Sequence, residues 1–259
     1  MSRYDFRSPR LFVDQPLAAG GAVPLDPDQA NYLGNVLRLR AGERVLLFNG
    51  RDGEWSATLS GGKKLRAADV ETCLRPQPPP GDLHLLFAPL KHARLDYMVQ
   101  KAVEMGVSRL QPILTRHTQV ARVNGERMRA NAIEAAEQCG ILAVPEVVDP
   151  VDFKAIAFQP GRIYVFCDED AEVADPVAAL AALRPRPSAL VPLAAPQEVP
   201  KLAVLIGPEG GFSEDERERL RAVPGMVRIA LGPRILRADT AAVAALAVVQ
   251  AVLGDWRDA

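Results

Sequence analysis

The chain has 259 residues, 48% of them hydrophobic, enough for one large core or two moderate ones and too apolar for a disordered protein. Its 31 Lys and Arg residues are balanced by 32 Asp and Glu, so the net charge of −1 gives no bulk attraction to a polyanion and any nucleic-acid affinity must come from local patches. Three scattered cysteines, Cys73, Cys139 and Cys167, without CxxC spacing argue against a disulfide framework and a metal site, and no run has the length of a signal peptide or membrane span, so a soluble cytoplasmic protein is expected.

Asp26-Pro27-Asp28-Gln29 reads as a helix start, with an N-cap Asp, Pro at the first helical position and Gln placed for a capping box. Ala30, Leu33, Val36 and Leu37 then form its apolar face. Three β-prone runs follow, Arg44–Phe48, Trp55–Leu59 and Leu65–Thr72, divided by Gly-rich turns, which predicts a small, mostly β barrel. The stiff Pro-Gln-Pro-Pro-Pro-Gly stretch from Pro76 suits neither a helix interior nor a central strand, so domains are expected at 1–75 and 76–259. Beyond it the rhythm becomes α/β. Strands are predicted at Leu83–Phe87, Leu110–Leu114, Arg162–Cys167, Lys201–Ile206 and Val227–Leu231. Helices are predicted through Leu95–Val103 and around 126–139, 174–183, 214–222 and 240–253. A proline-rich 184–200 segment reads as an irregular surface insertion.

Two loops could carry chemistry. Leu205-Ile206-Gly207-Pro208-Glu209-Gly210-Gly211-Phe212-Ser213 follows a strand, and Ser213 with Glu216 forms a capping box, so a helix starts at once. Glycines there let backbone approach a ligand at the carboxyl end of a strand, although a bare strand-to-helix turn would read the same way. The spacing matches neither a Walker A loop nor GxGxxG, which removes phosphate binding as the natural reading. The second loop, Leu231-Gly232-Pro233-Arg234-Ile235-Leu236-Arg237-Ala238-Asp239-Thr240, offers two guanidinium forks for an anion or simply two solvated arginines. The helix after it has Gln250 as its single polar residue from Ala241 to Leu253 and must be buried within the fold and against a second subunit. Lys91 and Arg94 could form part of a basic surface, whereas Lys101 and Glu104 pair along their helix. His84, His92 and His117 show no metal spacing.

Taken in order, Pro9–Val13, Tyr32–Leu39, Lys91–Gly106, Ala135–Gly140, Ile206–Phe212 and Leu231–Thr240 resemble the small-subunit ribosomal RNA uracil-N3 methyltransferase (RsmE) family of the SPOUT superfamily. The pair IGPEGGF and LGPRILRAD is more specific than either loop alone. This resemblance implies a PUA-like β barrel for RNA, a C-terminal trefoil-knotted α/β domain with a parallel sheet, and a homodimer acting on 16S rRNA with S-adenosylmethionine. By position it places Leu205, Gly207, Pro208, Glu209, Gly210, Gly211, Leu231, Gly232, Ile235, Leu236 and Arg237 around the cofactor. Arg234 or Arg237 would stabilise a uracil anion, and Glu209 or Asp239 would accept the N3 proton. Arg10, Arg38 and Arg40 would follow the RNA backbone with Lys91 and Arg94. Asp239 stands where the family more often has Glu, and Ile141 where a basic residue is common. Ribose 2′-O-methylation and a non-catalytic RNA-binding role are the competing readings.

Overall fold

The structure, a computed structural model, describes residues 8–62, 64–120, 122–172, 175–184 and 200–257. Its contacts divide the chain into two compact units: one runs to Pro80 and takes in Ile133–Val144, and the other comprises Gly81–Ala132 and the chain from Pro145 on.

The first unit is a five-stranded sheet in the order β1-β3-β4-β5-β2, with β1 Arg10–Phe12, β2 Ala22–Pro24, β3 Arg44–Phe48, β4 Glu54–Gly61 and β5 Leu65–Arg75. Only β1 and β3 pair in parallel. Val13, Leu33, Val45, Leu47, Ala57, Leu59 and Ala68 fill its core. The expected capping box is present: Gln29 N donates to Asp26 Oδ1 at 2.8 Å, and Asp26 N donates to Gln29 Oε1 at 3.1 Å. The helix it starts, α1 (Pro27–Asn31), passes into a π-helical turn over Tyr32–Val36. That wider turn moves Val36 off the face of Leu33, so Leu33 is fully buried while Val36 is 61% exposed. The single apolar face expected from the sequence is therefore interrupted.

Arg10 was expected to follow RNA, but its guanidinium is turned inward. Glu54, 3% exposed, accepts from Arg10 Nε at 2.9 Å and from Arg75 Nε at 2.7 Å, and Arg75 also donates to the Gly140 carbonyl at 2.9 Å. Burial alone would raise the Glu54 pKa, yet hydrogen bonds from Arg75 and Arg10 hold it below its ordinary value. Arg10 is a core ion-pair partner as it stands.

Glu137 behaves in the opposite way. It accepts from the Phe12 backbone N–H at 2.8 Å, but burial, helped by repulsion from Glu134, pushes its carboxyl from 4.5 up to about 7. A folded-state pKa above the unfolded one means that this contribution to stability is complete below pH 4.5 and is lost as pH rises through 7. Glu137→Gln keeps an acceptor for Phe12 without the titration. We expect it to gain about 1–2 kcal/mol over the parent between pH 5 and pH 8, read as a diverging denaturation midpoint. Parallel midpoints for the two proteins across that range would refute this.

The second unit is built on a sheet in the order β12-β10-β11-β6-β7-β8, with β9 also on β7. Its strands are β6 Leu83–Phe87, β7 Arg109–Leu114, β8 Glu146–Val147, β9 Val151–Asp152, β10 Ile163–Cys167, β11 Leu202–Ile206 and β12 Met226–Ile229. Every pairing is parallel. All five residues of β11 are buried, as a central strand covered on both faces requires. The helices are α2 His92–Glu104, α4 Pro176–Ala181, α5 Glu214–Arg221 and α6 Ala238–Val252, with the first half of α3 Gly125–Cys139, whose residues from Ile133 on belong to the first unit. Leu95, Met98, Val99, Ala102 and Val103 bury one face of α2, as their spacing predicts. The one polar residue of α6 beyond Thr240 has a structural partner: buried Gln250 donates to the Met105 carbonyl at the end of α2 at 2.6 Å. Pro185, Pro187, Pro192 and Pro196 of the expected insertion, and residue 174 at the start of the expected helix, lie outside the described residues. No described helix is long and apolar enough to cross a membrane.

Candidate functional site

Because all strands of the second sheet run the same way, the loops after β6, β7, β10, β11 and β12 leave it at one edge, where open α/β sheets carry their ligands. The loop after β11 is anchored at both ends. Phe212 is buried edge-on against Phe166, with ring centroids 5.2 Å apart, and beside Phe153 at 5.9 Å. Ser213 N then donates to Glu216 Oε2 at 2.9 Å in the expected capping box, and the other oxygen of Glu216 accepts from Arg116 N at 2.8 Å. Between these anchors there is little space for side chains. A Cβ on Gly207 would lie 2.7 Å from the Phe212 ring, and one on Gly210 would lie 3.3 Å from His117 Cβ. Gly211 has φ +68, and its Cβ would meet Glu169 Oε1 at 2.9 Å.

Two sets of residues hold this loop that sequence reasoning did not find. His117 Nδ1 lies 3.2 Å from the Gly210 carbonyl and 3.0 Å from that of Gly211; carbonyls only accept, so Nδ1 carries the hydrogen and donates to both. Below the loop, Arg217 donates to the Phe212 carbonyl and pairs with Asp168 at 2.5 Å, Asp170 at 2.6 Å and Glu169 at 2.6 Å. Arg228 on β12 adds a 2.6 Å bridge to Asp168. The three carboxylates lie close enough to one another to hold a cation, but Arg217 already engages all three and Arg228 pairs with Asp168 as well, which marks a structural ion-pair network. Asp-Glu-Asp after a strand was a visible signal; its partners on α5 and β12 were not.

Glu209, at the loop's tip, forms an ion pair with Arg94 of α2. The two share a cavity of about 390 Å³ with Lys91, Pro89, His117 and Pro208. The structure thus joins Lys91 and Arg94, expected on an RNA-facing surface, to a residue of the expected cofactor loop. Arg234, Arg237 and Asp239 are not in that lining. They sit on the loop after β12, where Gly232 has φ +94 with nothing within 4 Å of a Cβ, Arg234 and Arg237 are exposed, and Ile235 is 95% exposed. Arg237 is the N-cap of α6, and Asp239 in its first turn accepts from Thr240 N at 3.0 Å. Leu231 and Leu236 are partly buried, whereas Leu205 is wholly within the core, so only its backbone can meet a ligand. Bare glycine backbone on one loop and a solvent-facing Ile235 on the next fit a ligand with a flat apolar ring and polar groups, as an adenosine has. In the first unit, exposed Arg38 and Arg40 line a groove of about 1280 Å³ with Lys64, Arg66, Asn31 and Asn35.

Comparison with known proteins points the same way. The model of the RNA methyltransferase domain matches residues 77–250, and that of the RNA methyltransferase PUA domain matches residues 25–68. Ribosomal RNA small subunit methyltransferase E of Rickettsia conorii is 28% identical over 243 residues, which cover 93% of this chain and 94% of that protein. The protein of the same name from Synechocystis is 30% identical over 247 residues, covering 94% and 78%. Among solved structures, ribosomal RNA small subunit methyltransferase E from Neisseria gonorrhoeae bound to S-adenosyl methionine superposes with a TM-score of 0.76 at 27% identity, covering 96% of this chain and 100% of that one. The fold class expected from the sequence, a small PUA-type β domain ahead of a parallel α/β methyltransferase domain, is the one observed.

Proposed function

Since the chain belongs to the ribosomal RNA small subunit methyltransferase E family, we propose that it transfers a methyl group from S-adenosylmethionine to N3 of a specific uridine in 16S rRNA of the small ribosomal subunit. The observation that carries this reading is the meeting of a bare-backbone glycine loop with a cavity lined by Lys91 and Arg94 at one sheet edge. When bound, S-adenosylmethionine supplies an electrophilic methyl group on a sulfonium. Backbone of Leu205 and of Gly207–Gly211, with Leu231, Gly232, Ile235, Leu236 and Arg237, would hold it. His117 keeps the first of these loops in shape through the Gly210 and Gly211 carbonyls. Exposed Arg234 or Arg237 would stabilise negative charge on the base, and Glu209 or Asp239 would accept its proton.

RNA contacts are assigned to Lys91 and Arg94 in the second unit and to the first unit, where Arg38 and Arg40 gain Lys64 and Arg66 as neighbours along the groove. Arg10 leaves this list. Division at residue 76, a homodimer, a cytoplasmic location and independence of metal belong to the same proposal; the solvent-facing Ile235 supports an apolar partner at this edge. Because N3 lies on the pairing edge, the target uridine must be unpaired, and a uridine locked in a duplex should be inert.

The test is to incubate the enzyme with labelled S-adenosylmethionine and either small ribosomal subunits or bulk tRNA, then digest to nucleosides. Label is expected in N3-methyluridine from the subunits. Label in 2′-O-methylated nucleosides, or chiefly in tRNA, would overturn the uracil-N3 reading and leave methyl transfer standing.

A further inference from the structure

The cavity beside the glycine loop contains a contradiction for a site that receives a polyanion. Arg94, a cation in the cavity lining where a phosphate could reach it, is engaged by the carboxylate of Glu209, one of the two candidates for the uracil proton. These partners are 115 positions apart, one on α2 and one on the loop, so neither helix geometry nor chain proximity forces the contact. Their side chains are 40% and 47% exposed. A pair that open to solvent is weakly held and easily exchanged. A phosphate offers Arg94 two oxygens in the geometry a guanidinium prefers, with Lys91 in the same lining as a second cation.

We propose that the Arg94–Glu209 pair is a latch that the RNA opens: a substrate phosphate takes over the Arg94 guanidinium, and the released Glu209 carboxylate accepts the proton from N3 of the target uracil. This rests on uracil N3 being the acceptor. The N3–H bond breaks with the proton passing to a Glu209 carboxylate oxygen. The pair left on N3 forms the bond to the methyl carbon, and the carbon–sulfur bond of the sulfonium breaks with its electrons going to sulfur. Glu209 then returns its proton to water. Until RNA arrives, Arg94 neutralises the carboxylate and blocks its access to a base, so a uracil without its phosphate is a poor substrate. The latch couples recognition of the RNA backbone to the proton transfer.

Three variants decide this: Arg94→Ala, Glu209→Gln and the double replacement, all at half-exposed side chains. Affinity for unmethylated small ribosomal subunits, measured by anisotropy of labelled enzyme with S-adenosylhomocysteine present, should fall about tenfold in R94A through loss of a charged phosphate contact. It should rise about threefold in E209Q, because the competing carboxylate is gone, and the double variant should match R94A. An ion pair that only braces the fold would make both single variants weaken binding, and that result overturns the latch. With saturating subunits and cofactor, E209Q should slow the single turnover at least about 100-fold although it binds RNA more tightly. A parental rate, or loss of S-adenosylmethionine affinity by calorimetry in E209Q, overturns the proton-accepting role. If nucleoside analysis places the methyl elsewhere than uracil N3, that role falls with the functional reading, while the signs of the affinity changes still decide the latch.

Discussion

Replacing Gly211 with valine will lower the affinity for S-adenosylmethionine at least about 100-fold while leaving the chain folded. At φ +68 a β-branched residue lies outside its allowed backbone range, and the added Cβ would stand 2.9 Å from Glu169 Oε1. Glu169 is the solvent-facing end of a flexible side chain and can move aside, so the core beneath is spared. The backbone strain cannot be relieved that way, because the left-handed region costs a side-chain-bearing residue about 1–2 kcal/mol and a β-branched one more. Relief requires the loop to change course, which misplaces the two carbonyls that His117 holds. A change of about 3 kcal/mol in fit corresponds to the stated loss. Calorimetry with circular dichroism on the same sample checks it; parental affinity in a folded G211V would remove this loop from the cofactor site.

The largest effect on stability is expected at Asp168, whose side chain is 0% exposed between Arg217 and Arg228. Asp168→Ala leaves the nearly buried Arg217 with the exposed carboxylates of Glu169 and Asp170 and the Phe212 carbonyl, and takes the carboxylate partner from Arg228. Breaking such a buried pair costs about 3–5 kcal/mol, so the thermal midpoint should drop by roughly 10 °C. Asp168→Asn, which keeps the shape and one acceptor, should lose less. Since Arg217 also donates to the Phe212 carbonyl, cofactor affinity should fall along with stability in the alanine variant. Equal midpoints for parent and D168A by calorimetric melting would show that Glu169 and Asp170 suffice.

What could be read from the sequence was local. Both capping boxes, Asp26 with Gln29 and Ser213 with Glu216, and the strands Arg44–Phe48 and Leu83–Phe87 involve residues a few positions apart, so their signal is complete within a short window. Strands β1, β2, β8 and β9 have two or three residues each, too few to show a period, and they exist only because a partner strand receives them. The glycine loop was legible as a place where backbone meets a ligand. Its supports were not, since His117, Arg94 and Asp168 come to it only after the strand order is set. Arg10 shows the same limit: an arginine on a β-prone run reads as surface until Glu54, 44 positions away, claims it.

The strand order also sets a timetable for the growing polypeptide. Strand β6 is made early, yet its neighbour on one side is β11, so residues 83–87 wait for 202–206 before that edge is covered. β10 likewise gains both its neighbours, β11 and β12, only from chain made after it. Distant parallel pairings of this kind are slow to form, because the loop between the partners must close before any contact rewards it. A nascent chain halted before Leu202 therefore leaves the apolar rim of β6 open to solvent, and folding intermediates with such rims are the ones that aggregate or recruit chaperones. The two loops proposed to hold the cofactor follow β11 and β12, so they take shape only after those strands have joined the sheet.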